Sequence, residues 1–248
     1  MKLSFLGTAD SAAIPVHNCQ CKVCQAYREK EIINLATSAY IHYDNKVILL
    51  DAGVENISSY FDNTTIQAVF LTHFHPDHAL GLLRLRYSEG GEIVCYHPQD
   101  DKGFADLFKH KKAIIYKQNI PFKAIQIDQL TFYPIPLKHS KSTTGYLIQS
   151  TDKTMAYLTD CAGIPQESMD FLKGFNLDYV FIDAGLAPES TNGNHLNYIE
   201  ASSLLDEINP KKGYLFHASH QILEYLIDKK TILKYPYLSP EEVFNLKI

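Results

Sequence analysis

The stretch Thr72-His73-Phe74-His75-Pro76-Asp77-His78 directly follows the apolar run Ala68-Val69-Phe70-Leu71. It brings three imidazoles and one carboxylate together within six residues. A strand cannot both bury such side chains and present them to a ligand, so we expect them on the turn after a strand. His73 and His75 would then project side by side, and Asp77 and His78 would reach a second point nearby. Two neighbouring points of nitrogen and oxygen ligation predict a dinuclear divalent-metal site rather than a polar turn with chance histidines.

Three further residues of metal-ligand type follow apolar segments that we predict to be strands. They are His139 after Leu130–Leu137, Asp160 after Thr154–Thr159, and His217 after Gly213–Phe216. In layered α/β proteins, ligands collect beyond the carboxyl ends of strands. Several strand ends that each deliver such a residue are therefore a more specific signal than any one of them. Taken singly, each would more often be a satisfied polar group or a helix cap.

This ordered series of histidine and aspartate residues resembles the ligand series of the metallo-β-lactamase superfamily. The resemblance implies an α/β fold, a four-layer αββα sandwich with the metals at one edge of two facing sheets. It also implies two ligand sets, namely His73, His75 and His139 for one metal and Asp77, His78 and His217 for the other. Asp160 would bridge the two metals.

Asp51 lies in the segment Leu49-Leu50-Asp51-Ala52-Gly53, which matches the first motif of the same superfamily. The resemblance implies that its carboxylate orients a ligand histidine from outside the metal shell. The alternative is a helix N-cap in front of Val54–Phe61. The sequence leaves both interpretations open.

Cys19, Cys21 and Cys24 form a second cluster, and His220 lies close to the last histidine of the series. Three clustered thiolates and one imidazole satisfy a closed tetrahedral zinc site, which stabilises a fold rather than performing chemistry. A disulfide and a redox pair are the alternatives. Because Met1–Gly7 has the pattern of a strand rather than a signal peptide, we expect a reducing cytoplasm and favour structural zinc.

The cysteine cluster narrows the resemblance to the phosphoribosyl 1,2-cyclic phosphate phosphodiesterases of the carbon–phosphorus lyase pathway, the PhnP family. The matching stretches run from Cys19–Cys24 to His217–Gln221, and only the part from Leu223 onward is unmatched. The resemblance implies a Cys₃His structural Zn²⁺, two Mn²⁺ ions at the active site, a homodimer and a role in phosphonate catabolism. A ligand set of histidine and aspartate also accepts Zn²⁺ or Fe²⁺, and the sequence leaves that choice open.

His195 lies in a loop rich in Gly and Asn before a predicted helix. By itself such a residue more often has no role, but the resemblance implies that it is the catalytic residue outside the metal shell. The implied chemistry is attack of a metal-bridging hydroxide on 5-phosphoribosyl 1,2-cyclic phosphate to give ribose 1,5-bisphosphate. Asp160 would hold the metals, and His195 would protonate the departing alkoxide. Ser140, Ser142 and Thr143 either bind substrate phosphates or cap a turn, and both possibilities stay open.

The composition agrees with one globular α/β domain. The chain has 248 residues, 46% of them hydrophobic, and we expect a single hydrolase domain over residues 1–248. Helical patterns alternate with the predicted strands, as α/β layers require. They lie at Leu80–Tyr87, Phe104–His110, Pro165–Phe171, Tyr198–Glu207 and Gln221–Ile227.

Charge and hydropathy limit the partners. No apolar run approaches the length of about 18 residues that a membrane helix needs. The formal net charge is −5, whereas proteins that bind long nucleic acid usually carry a positively charged surface. We therefore expect a cytoplasmic enzyme that binds a small sugar-phosphate substrate and a second copy of itself, and neither membrane nor long nucleic acid.

Other functions share part of the motif. Phosphodiesterases for 2′,3′-cyclic nucleotides or RNA, thioesterases and lactonases of the superfamily all use similar metal ligands. Transfer-RNA processing nucleases also need an arm that grips RNA, and no basic or Gly/Pro-rich insertion is present in the sequence. A metal-binding protein without catalysis, such as a diiron redox module, is disfavoured because such modules usually come with a flavin-binding domain.

Overall fold

The protein is described by a computed structural model that covers residues 1–190, 193–240 and 242–247. The strands are β1 (Lys2–Ala9), β2 (Leu35–Ala36), β3 (Ser38–Tyr43), β4 (Lys46–Leu50), β5 (Thr65–Phe70), β6 (Ile93–His97), β7 (Ile114–Gln118), β8 (Ile125–Ile127), β9 (Leu130–Leu137), β10 (Thr143–Gln149), β11 (Thr154–Leu158), β12 (Tyr179–Asp183), β13 (Lys212–Phe216) and β14 (Val243–Asn245). The helices are α1 (Lys22–Glu29), α2 (Ile57–Tyr60), α3 (Pro76–Ala79), α4 (Leu82–Leu85), α5 (Gln166–Lys173), α6 (Tyr198–Ile208) and α7 (His220–Lys229).

These strands form two mixed sheets. The first has the order β14-β1-β3-β4-β5-β6-β7, with β2 paired to β1, and the second has the order β13-β12-β11-β10-β9-β8. Strands β4, β5, β6 and β7 run parallel in the first sheet, and β11, β12 and β13 run parallel in the second. Parallel neighbours place their carboxyl ends at the same edge of a sheet.

An aromatic core joins the two sheets. Phe70 of β5 stacks on Phe132 of β9 with ring centroids 3.8 Å apart. Phe5 of β1 packs against Phe181 of β12 at 5.2 Å. All four side chains are buried, and their rings contribute large apolar areas to one continuous core. Because successive residues of a strand point to opposite faces, the other face of each sheet needs its own cover.

Helices supply that cover on both sides. Ile57 of α2 and Leu82 of α4 pack into a cluster on the outer face of the first sheet. Leu172 of α5 and Leu205 of α6 pack on the outer face of the second. The order helix, sheet, sheet, helix confirms the predicted four-layer αββα sandwich. The expectation of a single domain over the whole chain stays a prediction.

One predicted helix is wrong. The segment Phe104–His110 forms turns rather than an α-helix. Asp100 Oδ1 accepts hydrogen bonds from the backbone N–H groups of Lys102 and Gly103, which favours a turn at the start of the segment. The apolar side chains of this segment pack on buried rings instead, since Phe108 packs against Phe74 with centroids 5.1 Å apart.

Within the described residues, no helix combines the length and apolar character needed to cross a membrane.

Candidate metal centre

The predicted metal residues lie where strands end, at one edge of the sandwich. The first cluster follows β5, with His73 on the turn and His75 as the residue before α3. Pro76 opens α3, where its missing N–H and fixed φ suit the first helical position. Asp77 and His78 lie in that helix and turn back toward the same edge. The tight turn into α3 therefore separates four neighbouring residues into two pairs.

The first ligand set converges closely. The Nε2 atom of His73 lies 2.8 Å from Nδ1 of His75, and Nε2 of His139 lies 3.2 Å from the same Nδ1 atom. His139 comes from the loop after β9. One ligand atom from each of these histidines and from Asp160 lies within 4.8 Å of the others. Three imidazole nitrogens and a carboxylate at this spacing suit a first-row divalent metal.

The second ligand set shares Asp160 with the first. Asp160 Oδ1 lies 3.2 Å from His78 Nε2 and 3.1 Å from His217 Nε2. Asp160 Oδ2 faces the other way, 3.8 Å from His73 Nε2. Asp77 completes the second set, with Oδ2 3.5 Å from His78 Nε2. One carboxylate between two ligand sets is the arrangement that the family resemblance implied for Asp160.

Buried nitrogens test whether a metal fits. His78 Nε2 and both ring nitrogens of His217 are buried and have no hydrogen-bond partner among the described residues. A buried polar atom without a partner costs about 1–3 kcal/mol, so native structures rarely keep several side by side. The two Nε2 atoms lie near Asp160 Oδ1 without hydrogen-bond alignment. A divalent ion coordinated by Nε2 of each histidine would satisfy two of these three atoms, and the residues fit such an ion.

Outer partners orient the ligand rings. Asp51 is fully buried, and its Oδ2 accepts a hydrogen bond from His78 Nδ1 at 2.8 Å. Thr72 donates its hydroxyl to Asp51 Oδ1 at 2.9 Å, while His73 Nδ1 donates to that hydroxyl at 3.0 Å. His139 Nδ1 donates to the backbone carbonyl of Asn194 at 2.8 Å. Each hydrogen bond fixes the proton on Nδ1 and leaves Nε2 as the ligand atom.

Of the two interpretations of Asp51, the helix N-cap is therefore wrong. The nearest helix, α2, starts at Ile57 and has Asn56 at its N-cap position. The Asp51 side chain instead reaches His78, as the resemblance implied.

Burial and charge set the protonation of the second ligand set. Burial lowers the pKa of His217, but the charge of Asp160, the interaction with Asp77 and the charge of Asp183 together outweigh burial and raise the pKa to about 9. Burial alone would raise the pKa of Asp160, yet His217 and His78 bring it well below its ordinary value. The carboxylate is therefore ionised and His217 tends to hold a proton. Metal ions and protons compete for this site, so metal affinity falls as the pH falls.

His195 lies beside the ligand sets rather than within them. Its ring stacks on His217 with centroids 4.9 Å apart, and its side chain is 19% exposed. Nδ1 of His195 donates to Asp183 Oδ2 at 2.7 Å. Burial lowers the pKa of His195, but the hydrogen bond and charge of Asp183 raise it further, so the pKa is above its ordinary value. The proton on Nδ1 is held by Asp183, and Nε2 remains for exchange with a ligand.

Asp183 is a site residue that the sequence interpretation missed. It ends β12 and is fully buried. Backbone N–H groups of Gly185 and Cys161 donate to its two carboxylate oxygens at 3.0 and 2.9 Å. These hydrogen bonds hold the carboxylate in the orientation that His195 needs. The signal was present, since Asp183 follows the apolar run Val180-Phe181-Ile182 just as Asp160 follows its strand.

The three serine and threonine candidates after β9 do not line the cavity beside the ligand sets. Ser142 and Thr143 line a separate cleft with Asn119 and several prolines. Thr143 Oγ1 donates to the backbone carbonyl of Lys141 at 3.0 Å, which is a turn-stabilising contact. Ser140 is exposed. Of the two open possibilities, the structure places Thr143 in the turn.

The cysteine cluster forms a separate group. Sγ of Cys19 and of Cys21 lie 3.5 and 3.4 Å from His220 Nδ1, and Cys24 lies within the same 4.8 Å group. Tetrahedral zinc with bonds of about 2.3 Å to sulfur and about 2.0 Å to nitrogen would separate S and N by roughly 3.5 Å. All three cysteines are free thiols in the structure, which does not form the alternative disulfide among them. The spacing fits a zinc ion, and we propose that this cluster binds one.

Cys21→Ser tests that site. Cys21 is the N-cap of α1 and accepts a hydrogen bond from the N–H of Cys24, and serine preserves this cap. Any loss of stability therefore reports on the lost ligand. Zinc at about 100 times its Kd contributes about 2.7 kcal/mol, so we expect the Tm to fall by roughly 5–10 °C together with one zinc per chain.

The matched control for this measurement is Gln20→Ser, an exposed position between two of the cysteines. It should keep both the zinc and the Tm. Metal analysis and thermal unfolding monitored by circular dichroism measure both quantities. A Cys21→Ser protein that retains its zinc and its Tm would contradict the structural-zinc proposal.

A cavity of about 960 Å³ opens beside the ligand sets. Its lining includes His75, Asp77, Asp160, His195 and His217, so the proton-holding histidine and the metal residues face one space. Among the described lining residues, none is a lysine or an arginine. The cavity suits a small molecule that reaches both groups at once.

Comparison with known proteins places this geometry in a family. Residues 46–218, more than half of the chain, match the beta-lactamase superfamily domain. Among solved structures, the chain is similar to a new diphosphatase from the PhnP family. The two share 25% sequence identity and a TM-score of 0.81, over 100% of this chain and 98% of that one.

Two relatives carry other activities in their names. The chain is 26% identical over 241 residues to an octanoyltransferase of Porphyromonas gingivalis (strain ATCC BAA-308 / W83), a match that covers 89% of this chain and 46% of that protein. It is 23% identical over 182 residues to a ribonuclease Z of Parabacteroides distasonis (strain ATCC 8503), covering 63% of this chain and 58% of that protein. The chain thus spans about half the length of these two relatives.

Proposed function

Because the chain belongs to the metallo-β-lactamase superfamily, we propose that it is a phosphodiesterase that hydrolyses a small cyclic phosphate with two divalent metal ions. The family match and the similarity to the PhnP-family diphosphatase both support a metal-binding hydrolase with this fold. The phosphodiester substrate, the dinuclear centre and the residue roles that follow belong to the proposal.

The observation that carries the proposal is the position of His195. Oxygen or nitrogen atoms of Asp160, Asp183, His195 and His217 lie within 4.8 Å of one another. A proton donor next to the metal ligands is needed when the leaving group is an alkoxide of high pKa, as in a ribose cyclic phosphate. A thioester expels a thiolate, which is a better leaving group and needs such a donor less.

Each residue has a distinct part in the chemistry. When bound, the two ions lower the pKa of water and neutralise charge on the phosphoryl oxygens. His73, His75 and His139 would hold one ion, Asp77, His78 and His217 the other, and Asp160 both. His195 would hold a proton on Nε2 and transfer it to the departing alkoxide oxygen. Asp183 keeps the other ring nitrogen protonated and stabilises the charged ring.

The substrate we propose first is 5-phosphoribosyl 1,2-cyclic phosphate, with ribose 1,5-bisphosphate as product. The resemblance of the cysteine cluster and the ligand series to the PhnP family supports it, as does the PhnP-family diphosphatase. We further propose Mn²⁺ as the active-site metal, with Zn²⁺ or Fe²⁺ as alternatives. The homodimer, the cytoplasmic location and the role in phosphonate catabolism stay predictions.

A second candidate is an RNA phosphodiesterase, which the ribonuclease Z relative favours. Long RNA binds through lysine and arginine contacts to phosphates. The described lining of the cavity lacks both residue types, and the formal net charge is −5. A short cyclic ester suits this cavity better than a polymer.

A substrate panel separates these functions. Protein loaded with Mn²⁺ is assayed with cyclic ribose phosphates, a 2′,3′-cyclic nucleotide, a transfer-RNA precursor, a thioester and a lactone, and chelator-treated protein is the control. We expect metal-dependent opening of the cyclic phosphates with the highest kcat/KM. A thioester, a lactone or the RNA turned over more efficiently than every cyclic phosphate would contradict the proposed function.

A further inference from the structure

The cavity beside the metal residues has a second wall that the mechanism does not use. Asp10 and Ser11 follow β1, while Ser219 and Gln221 lie at the start of α7. These side chains face the same cavity as His195. They carry hydroxyl, amide and carboxylate groups, which can hydrogen-bond a ligand, and among them only the Asp10 carboxylate disfavours an anion. The part of a substrate that extends away from phosphorus would meet this wall.

Asp10 is fixed in that wall by the backbone. Its N–H donates to the carbonyl of Ala218 at 3.1 Å, and the N–H of Ala218 donates to the carbonyl of Thr8 at 3.0 Å. Its Oδ1 accepts a hydrogen bond from the N–H of Ala12 at 3.0 Å. No donor among the described residues reaches Oδ2. Oδ2 of Asp10 is therefore left to accept a hydrogen bond from a ligand in the cavity.

That oxygen belongs to a partly buried carboxylate at the wall of the cavity. Burial raises the pKa of Asp10, and the negative charge of Asp77 also raises it, while His217 and His220 lower it. Asp10 does not belong to either group of metal-ligand residues. A carboxylate beside the path of an anionic substrate repels phosphate and attracts hydrogen-bond donors. A cyclic ribose phosphate brings such a donor, since a free ring hydroxyl remains at carbon 3.

We propose that Asp10 is a specificity residue that accepts a hydrogen bond from a free hydroxyl of the substrate's sugar. This inference rests on the proposed function, because it assigns the part of the cyclic phosphate that lies away from the metals. The specificity then comes from the hydroxyl rather than from a second phosphate, for which the described lining offers no cationic side chain.

A purely local role for Asp10 makes a different prediction. Its contact with Ala12 shapes the turn after β1, and a disturbed turn would slow every substrate alike. If Asp10 instead recognises a hydroxyl, a variant that loses this contact slows only substrates that carry the hydroxyl. Asp10→Asn retains an oxygen acceptor for Ala12 but removes the charge, and Asp10→Ala removes both. Asp62→Asn, an exposed position away from the cavity, controls for the change in net charge.

The experiment crosses these variants with three substrates. They are 5-phosphoribosyl 1,2-cyclic phosphate, its 3-deoxy analogue and ethylene phosphate, a five-membered cyclic ester without hydroxyls. A hydrogen bond to a charged group contributes enough that its loss costs about 10- to 100-fold in affinity. On the hydroxylated substrate, we expect kcat/KM to fall about tenfold in Asp10→Asn and up to about a hundredfold in Asp10→Ala, mainly through KM. On the other two substrates each variant should stay within about threefold of wild type, within the usual scatter of such contributions.

The outcomes separate this inference from the function on which it rests. Equal losses on all three substrates, or no loss on any, would overturn the role of Asp10 while leaving the phosphodiesterase intact. If wild-type protein with Mn²⁺ opens none of the three cyclic esters, the proposed function itself fails. Circular dichroism and metal content of each variant confirm that fold and ligand sets are preserved.

Discussion

Asp160→Asn is expected to lose bound metal and to lower cyclic phosphate hydrolysis by at least about a thousandfold, since altering a ligand's outer partner alone costs about 10- to 100-fold. Asp160 Oδ1 lies 3.1 Å from His217 Nε2, and Oδ2 lies 3.8 Å from His73 Nε2. One carboxylate thus serves both ligand sets. The amide keeps the size of the side chain but removes its charge and replaces one oxygen with a donor group.

Metal analysis, thermal unfolding and steady-state kinetics measure this effect together. The matched control is Asp170→Asn, an exposed aspartate of α5 that accepts a hydrogen bond from Gln166. The control should keep its metals and its activity. An Asp160→Asn protein with a full metal complement and wild-type kcat would contradict the assignment of Asp160 as the shared ligand.

His195→Ala is expected to keep the metals and lose about 10²- to 10⁴-fold in kcat on substrates with an alkoxide leaving group, the usual contribution of a general acid. On bis-p-nitrophenyl phosphate the loss should be small, because p-nitrophenolate departs without protonation. Equal losses on both substrate types would instead mean that His195 positions the substrate. The contrast between leaving groups is thus the informative readout.

Asp183→Asn extends this test through pH. His195 must carry its proton to act as an acid, and the charge of Asp183 raises its pKa above the ordinary value. Activity that depends on the protonated ring is present at low pH and is lost as the pH rises through that pKa. Without the carboxylate the pKa falls, so the alkaline limb of the kcat profile should move to lower pH. An alkaline limb that stays at the same pH in Asp183→Asn would contradict the role of His195 as the acid.

The strand-end residues could be predicted because each signal is local. An apolar segment followed at once by a histidine or an aspartate marks the carboxyl end of a strand, as at His139, Asp160 and His217. Parallel strands then bring these ends to one edge, so the site follows from the fold class. The fold itself could be predicted from the same alternation together with the family resemblance.

Other parts depended on contacts that no local pattern specifies. The choice for Asp51 between a helix cap and an outer partner required the position of His78, which only the packed sheets supply. Asp183 carried the same signal as Asp160, but a single aspartate after a strand is common in ordinary cores and caps. Asp10 and Gln221 line the same cavity although they lie far apart in the sequence, so no local sequence pattern indicates this wall.

The most direct test of a metal-dependent cyclic phosphodiesterase is phosphorus NMR on a single reaction. Wild-type protein, loaded with Mn²⁺ and freed of excess metal, is incubated with 5-phosphoribosyl 1,2-cyclic phosphate, and the reaction is stopped with chelator before the spectrum is recorded. We predict that the cyclic diester signal is replaced by a phosphate monoester signal, and that chelator-treated protein leaves it unchanged. A cyclic diester that persists while the same preparation hydrolyses a thioester or a lactone would contradict the phosphodiesterase function.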